Sequence, residues 1–172
     1  TRSASKAAVL HAVGVVPIVV DVFDAAQLRD AVCRAQPQVV VHQLTDLPPA
    51  LDPTRMAQAR VRNAHLREVG TRHLVAAAAA AGATRMIAQS IAFAYAPGPL
   101  PYREEAPLDL DSATVGLTAR AVASLEQQVW DLSEFCRKHD YRYTNEPWGP
   151  ELFSLQRALA LFAGSVDVED VP

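Results

Sequence analysis

The sequence has few of the residues that mark a disulfide-rich, metal-binding or nucleic-acid-binding protein. Its two cysteines, Cys33 and Cys136, are too few for a disulfide framework and lack the spacing of a metal site. We therefore expect both to be small buried apolar residues. The formal net charge of -3 leaves no basic surplus, so nucleic acid is not expected as a partner.

Long hydrophobic runs are also missing. The longest, residues 74–82, is mostly alanine and is about half as long as a membrane-spanning helix. No charged segment followed by an apolar one resembles a leader peptide. From these absences we expect no membrane association and a cytoplasmic location.

What is present is the pattern of a globular domain, with 50% apolar residues. Three short apolar stretches predict buried strands, at residues 15–21, 39–41 and 85–90. Four segments with helical spacing alternate with these strands. Asp24 caps one of them and Pro37 ends it. The other three are residues 4–13, residues 54–81 with a break at Gly70, and residues 114–137. A further strand is predicted at residues 141–144.

Buried strands that alternate with helices predict an α/β fold with a doubly wound parallel sheet. Ligands of such sheets bind beyond the carboxyl ends of the strands. The candidate site residues are therefore those that follow each strand, at residues 21–22, 42–45 and 89–95.

Five stretches of the sequence form an ordered set: the acidic motif at residues 21–24, the strand and turn at 39–44, a GTxxLxxAA-like helix from Gly70, the strand end Gln89-Ser90, and residues 148–150 with 165–171. Taken in this order, they resemble the extended short-chain dehydrogenase/reductase family, also called NAD-dependent epimerases/dehydratases. The resemblance implies a partial Rossmann-like NAD(P)-binding domain over residues 1–150 and a shortened remnant of a substrate domain over residues 151–172. It also implies a homodimer formed by the helices at 55–81 and 114–137.

The same resemblance implies a set of cofactor contacts. Asp21 would accept a hydrogen bond from the adenine amino group while Val22 lies against the ring. The cofactor is NADP or NAD, and the residues implied at a 2′-phosphate and along the ribose and nicotinamide are Arg2, Ser3, Lys6, His42, Gln43, Leu44 and Thr45. Each has a structural alternative: Asp21 can cap a turn, Ser3 can begin a solvated helix, and His42 can be a structural histidine.

Two departures from the family bear on activity. The glycine-rich GxxGxxG turn is absent, and residues 1–3 resemble the end of the strand that follows it. Either the sequence is a fragment, or the protein does not bind a dinucleotide in the usual way. The catalytic YxxxK pair is also absent, because Thr118 and Val122 stand at its two positions; Lys6 and Lys138 are the only lysines.

Ser90 matches the family's substrate-orienting serine and is the one catalytic residue that the resemblance implies; its alternative role is to satisfy a backbone group at the strand end. Tyr95 or Tyr102 could replace the missing tyrosine, or both could pack the loop. Asn63 is expected on a polar helix face. The remaining polar prediction is a solvated surface, partly paired with Glu68, that is formed by Arg55, Arg60, Arg62 and Arg67.

The resemblance implies an NAD(P)-dependent oxidoreductase, epimerase or dehydratase that acts on a small hydroxyl- or carbonyl-bearing substrate. Because the proton-transferring pair is missing, we expect reduced activity or none. The alternatives are a non-catalytic nucleotide-binding or regulatory protein and an inert truncated remnant. Consumption of NADPH with carbonyl substrates would indicate an enzyme.

Overall fold

The computed structural model describes residues 1–48, 52–103 and 105–138. The predicted strand at 141–144 and the predicted substrate-domain remnant at 151–172 lie outside the described residues. None of the helices in the described ranges is long and apolar enough to cross a bilayer.

The first two helices begin where local capping predicts. Helix α1 (Ala4–Ala12) starts after Ser3, whose hydroxyl accepts the Lys6 N–H at 3.4 Å. Helix α2 (Ala25–Ala35) starts after Asp24, whose carboxylate accepts the Gln27 N–H at 2.9 Å. Both predicted helices are confirmed.

A long helical stretch follows, made of α3 (Pro53–His65), a π-helical segment (Leu66–Gly70) and α4 (Thr71–Ala80). Asp52 caps its start by accepting the Thr54 N–H at 2.9 Å. The predicted break at Gly70 is wrong, because the helix continues through this residue with φ near -62°. A Cβ here would lie 3.0 Å from Leu66 Cδ1, so glycine permits close packing rather than a chain reversal.

The sheet of the described residues has two parallel strands, β1 (Val39–His42) and β2 (Arg85–Ala88). Val39 pairs with Arg85 at one end and His42 with Ala88 at the other. The α3–α4 stretch connects the strands, as parallel pairing requires. Helix α5 (Gly116–Lys138) confirms the last predicted helix and packs against α3, α4 and β2.

Residues 15–21 do not form the predicted buried strand. They belong to no strand, although the Thr1 amino group donates to the Ile18 carbonyl at 3.0 Å and the Val20 N–H donates to the Thr1 carbonyl at 2.9 Å. This is the hydrogen-bond pattern of a parallel ladder one residue long. Val16 is 86% exposed, because no further strand of the described ranges pairs with this segment. The architecture is therefore mixed α/β, and the fully doubly wound sheet stays a prediction.

The core lies between α2, the helical stretch and β2. Its buried side chains form one cluster: Val22, Leu28, Leu66, Leu74, Ala77 and Met86. Burial of each larger member stabilises the fold by about 1.5–3 kcal/mol, so this cluster fixes β2 and α4 relative to each other. Cys33, predicted as buried, is a free and partly buried thiol.

Candidate functional site

The candidate site lies where β1 and β2 end at the same edge of the sheet. His42 pairs with Ala88 in the last register position, and the Gln89 N–H donates to the His42 carbonyl at 3.2 Å. The segments that begin at Gln43 and at Gln89 therefore leave the sheet side by side. The structure thus brings together two of the three strand ends that the sequence indicates.

His42 is buried, with 2% exposure, and anchors the β1 end. The Leu44 N–H donates to its Nδ1 at 3.3 Å, and its Nε2 lies 2.9 Å from Thr71 Oγ1. Because a backbone N–H can only donate, Nδ1 is unprotonated and Nε2–H donates to Thr71. Burial lowers the pKa of His42 from 6.5, and the nearby Arg67 cation lowers it as well. The ring is neutral and holds the loop in position.

Asn63 fixes the next part of the same loop. Its Oδ1 accepts the Thr45 hydroxyl at 3.1 Å and the Asp46 N–H at 2.9 Å, while its Nδ2 donates to the Ala59 carbonyl at 3.0 Å. Asn63 is 4% exposed, so its expected place on a polar helix face is wrong. Regular helical spacing would not place Asn63 on the side of Thr71, so the sequence carries no direct signal for this role.

An ion-pair group lies beside this loop. Arg62 Nε donates to Asp46 Oδ2 at 2.7 Å, and Arg2 Nη2 lies 3.6 Å from Asp46 Oδ1. Arg62 is partly buried and therefore does not belong to a fully solvated arginine surface. Arg2, which the resemblance implies at a 2′-phosphate, instead contacts the carboxylate of Asp46 in the loop that follows β1, residues 43–48 (the β1-end loop).

The structure places the other implied cofactor residues either at the exposed surface or in contacts within the protein. Asp21 is exposed, and its Oδ1 accepts the Phe23 N–H at 3.0 Å in a turn. Val22 is 8% exposed and packs in the core. Ser3 caps α1 and its hydroxyl lies 2.7 Å from that of Ser5, whereas Lys6 is exposed.

Ser90 is exposed just after β2, and its hydroxyl donates to Glu126 Oε1 at 2.5 Å. Glu126 is exposed on α5, one helical turn beyond Val122. Thr118 and Val122 are both buried, at 8% and 0% exposure. The two positions that would hold the family's tyrosine and lysine therefore have neither the chemistry nor the exposure for proton transfer.

Tyr95 and Tyr102 pack on each other. Their ring centroids lie 5.4 Å apart in a stacked arrangement, and Tyr95 forms an antiparallel bridge with Leu108. The loop after β2 is therefore held by its own aromatic contacts, in agreement with the packing role.

No group of three or more histidine, cysteine, aspartate or glutamate side chains in residues 1–48, 52–103 and 105–138 could hold a metal ion.

Comparisons with known proteins gave one informative similarity. No family model matches the sequence, and no solved structure matches it significantly. The chain is 50% identical over 115 residues to a curated protein named 3-diazoavenalumate denitrifying reductase, from Streptomyces sp. That alignment includes 65% of this chain but only 37% of the Streptomyces protein. Over most of its length, the chain is thus similar to part of a reductase.

Proposed function

We propose that this chain supplies part of an NADPH- or NADH-dependent reductase that replaces the diazonium group of a small organic substrate with hydrogen. The observation that carries the proposal is the α5 face, where Thr118 and Val122 are buried and cannot donate a proton to a substrate. The similarity to a reductase named for a diazo compound supports the same reaction class.

The two candidate reactions differ in their need for a proton. Reduction of a carbonyl adds hydride to carbon and a proton to oxygen, and the proton normally comes from a positioned acid. Reduction of a diazonium cation forms a C–H bond with the hydride electron pair and breaks the C–N bond, whose electrons leave with dinitrogen. Diazonium plus hydride gives R–H plus N₂, with no proton transferred. A site without the YxxxK pair suits the second reaction.

Ser90 and Glu126 have a direct role in this proposal. Their hydrogen bond holds an exposed carboxylate at the end of β2. A negative charge at this edge attracts a cationic diazonium group, and the Ser90 oxygen can still accept a hydrogen bond from a substrate hydroxyl. The pair thus orients the substrate and favours its charged form.

The described residues fit a dinucleotide in part. Asp21 keeps an exposed carboxylate for an adenine amino group, and Lys6 is an exposed cation for a phosphate. Val22 and His42 are instead engaged in packing and in the loop. We therefore assign the cofactor contacts to Lys6 and Asp21. When bound, the nicotinamide supplies the hydride.

The test incubates the purified chain with NADPH that is deuterated at its hydride-donating carbon. The substrates are an arenediazonium salt and, as the matched control, the aldehyde of the same ring. We expect NADPH oxidation with the diazonium salt, one N₂ released per NADPH, and deuterium in the arene. NADPH oxidation with the aldehyde alone would contradict the diazonium assignment and favour the carbonyl substrate that the family resemblance implies.

A non-catalytic nucleotide-binding protein is the second candidate, since the buried Thr118 and Val122 also fit a lost activity. Thermal unfolding with and without NADPH separates the two. A ligand that binds the native state raises the melting temperature, so a rise without turnover would favour the binding protein.

A further inference from the structure

Arg67 is a partly buried cation without an anionic partner in the described part of the chain. Among the arginines of residues 1–48, 52–103 and 105–132, Arg62 and Arg67 are the partly buried ones. Arg62 pairs with Asp46, whereas no carboxylate among the described side chains of residues 1–48, 52–103 and 105–132 lies within 4.0 Å of the Arg67 guanidinium. Burial lowers the pKa of Arg67, so the cation has lost part of its hydration. Partial burial of an uncompensated charge is unfavourable, and an anionic ligand would offset that cost.

The position of Arg67 points to the end of β1. It lies four residues from Asn63 and four from Thr71, and both of these bind the β1-end loop. Asn63 contacts Thr45 and Asp46, while Thr71 contacts His42, so Arg67 lies along the helical stretch between the two residues that hold the end of β1 and its loop. The electrostatic effect of Arg67 on His42 agrees with this placement. Arg67 also belongs to the π-helical segment, a kind of turn that is frequent at functional sites.

The same loop offers a further donor and apolar surface. Gln43 Nε2 is buried and has no hydrogen-bond partner among the described residues. Leu44 and Leu47, by contrast, are 40% and 48% exposed. Amide and guanidinium donors bind carboxylate oxygens, and exposed leucines can contact the apolar body that bears the carboxylate.

We propose that Arg67 is the anion-binding residue of the candidate site, and that its ligand is the carboxylate of an aromatic or other apolar substrate. Its planar guanidinium can hold a carboxylate through two parallel hydrogen bonds. The choice of a carboxylate rests on the proposed function, since the substrate in the similar reductase's name is itself named as an acid anion.

The first test measures binding without cofactor or turnover, in the full chain. Calorimetry compares benzoate with benzamide, which has the same ring but no charge. The variants are Arg67→Met, Arg67→Lys and, as a matched control, Arg60→Met on the exposed part of α3. We expect Arg67→Met to weaken benzoate binding by about 10- to 100-fold and to leave benzamide binding unchanged. Arg67→Lys should restore part of the loss, and Arg60→Met should bind as the unaltered chain does.

The second test repeats the calorimetry with NADPH. If Arg67→Met weakens NADPH and leaves benzoate unchanged, the anion is a cofactor phosphate and the proposal is overturned. Equal benzoate binding by all variants, or none by the unaltered chain, also overturns it. Loss of benzoate binding in Arg67→Met together with no reduction of any diazonium salt would support the carboxylate site and reject the proposed reductase.

Discussion

The Ser90 hydroxyl and the Glu126 carboxylate are joined by a 2.5 Å hydrogen bond that links the end of β2 to α5. Hydrogen bonds to a charged acceptor are short and strong. The bond places a negative charge at the strand edge while the neighbouring Thr118 and Val122 stay buried.

The first prediction concerns this pair. Glu126→Gln keeps the size of the side chain but removes its charge, so we expect kcat/KM for an arenediazonium salt to fall about tenfold. The amide oxygen of the variant can still accept the Ser90 hydrogen bond, so the free energy of unfolding should fall by no more than about 1 kcal/mol. Asp131→Asn, on the exposed part of the same helix, is the matched control for lost charge. An equal fall in both variants would show that only the overall charge of α5 matters.

The second prediction concerns pH and His42. Its folded pKa is lowered, so the stability that the neutral ring provides is complete above pH 6.5, the ordinary value. It is lost as the pH falls from there through the folded pKa, because the unfolded chain binds the proton more readily. The loss reaches at most about 1.4 kcal/mol per pH unit.

Urea unfolding between pH 5 and pH 8 measures this effect. In His42→Gln, the pH-dependent part of the free energy of unfolding that comes from this ring should disappear, although the variant is less stable at every pH. His11→Gln serves as control because His11 is exposed on α1. A pH profile for His42→Gln that parallels that of the unaltered chain would assign the dependence to other groups.

The third prediction concerns Asn63, which binds Thr45, Asp46 and Ala59. Asn63→Ala removes these contacts and leaves polar groups of the loop without a partner, so we expect a loss of about 1–3 kcal/mol in urea unfolding. Gln58→Ala, at an exposed position of α3, should change stability by less than about 0.5 kcal/mol. Equal losses in both would mean that the loop does not depend on Asn63.

The fourth prediction concerns Gly116, the first residue of α5. A Cβ there would lie 2.7 Å from the Leu110 carbonyl oxygen, a contact that requires the backbone to shift. Although alanine favours helices, Gly116→Ala should therefore destabilise the protein by about 1–3 kcal/mol. At Gly98 the nearest atom would be 3.6 Å away, so Gly98→Ala is the control. Thermal or urea unfolding that shows Gly116→Ala to be the more stable variant would reject this account.

What the sequence predicts correctly is mainly local. Ser3, Asp24 and Asp52 cap helices through hydrogen bonds to backbone groups two or three residues away, so their patterns suffice. A strand needs a neighbouring strand for its hydrogen bonds, and in the described structure residues 15–21 make strand-like hydrogen bonds with Thr1 alone. Their apolar composition alone therefore misled the prediction.

The burial of polar residues was the harder part of the site. Asn63 and Arg62 form hydrogen bonds with Thr45 and Asp46, which lie 16 to 18 residues earlier in the chain, and these contacts keep them away from solvent. Helical spacing predicts which residues share one face of a helix, but it does not predict which loop packs on that face. The implied cofactor contacts stay predictions, because no ligand contact tests them.

The π-helical segment changes the direction in which the side chains that follow it point around the helix axis. Eight residues of regular α-helix turn by about 800°, which would leave Asn63 and Thr71 about 80° apart around the axis. The wider turn at Leu66–Gly70 rotates less per residue, so it absorbs one residue and returns both side chains to the same loop. Arg67 lies within that widened turn. The turn adds one residue to the helix while Asn63 and Thr71 still contact the same loop.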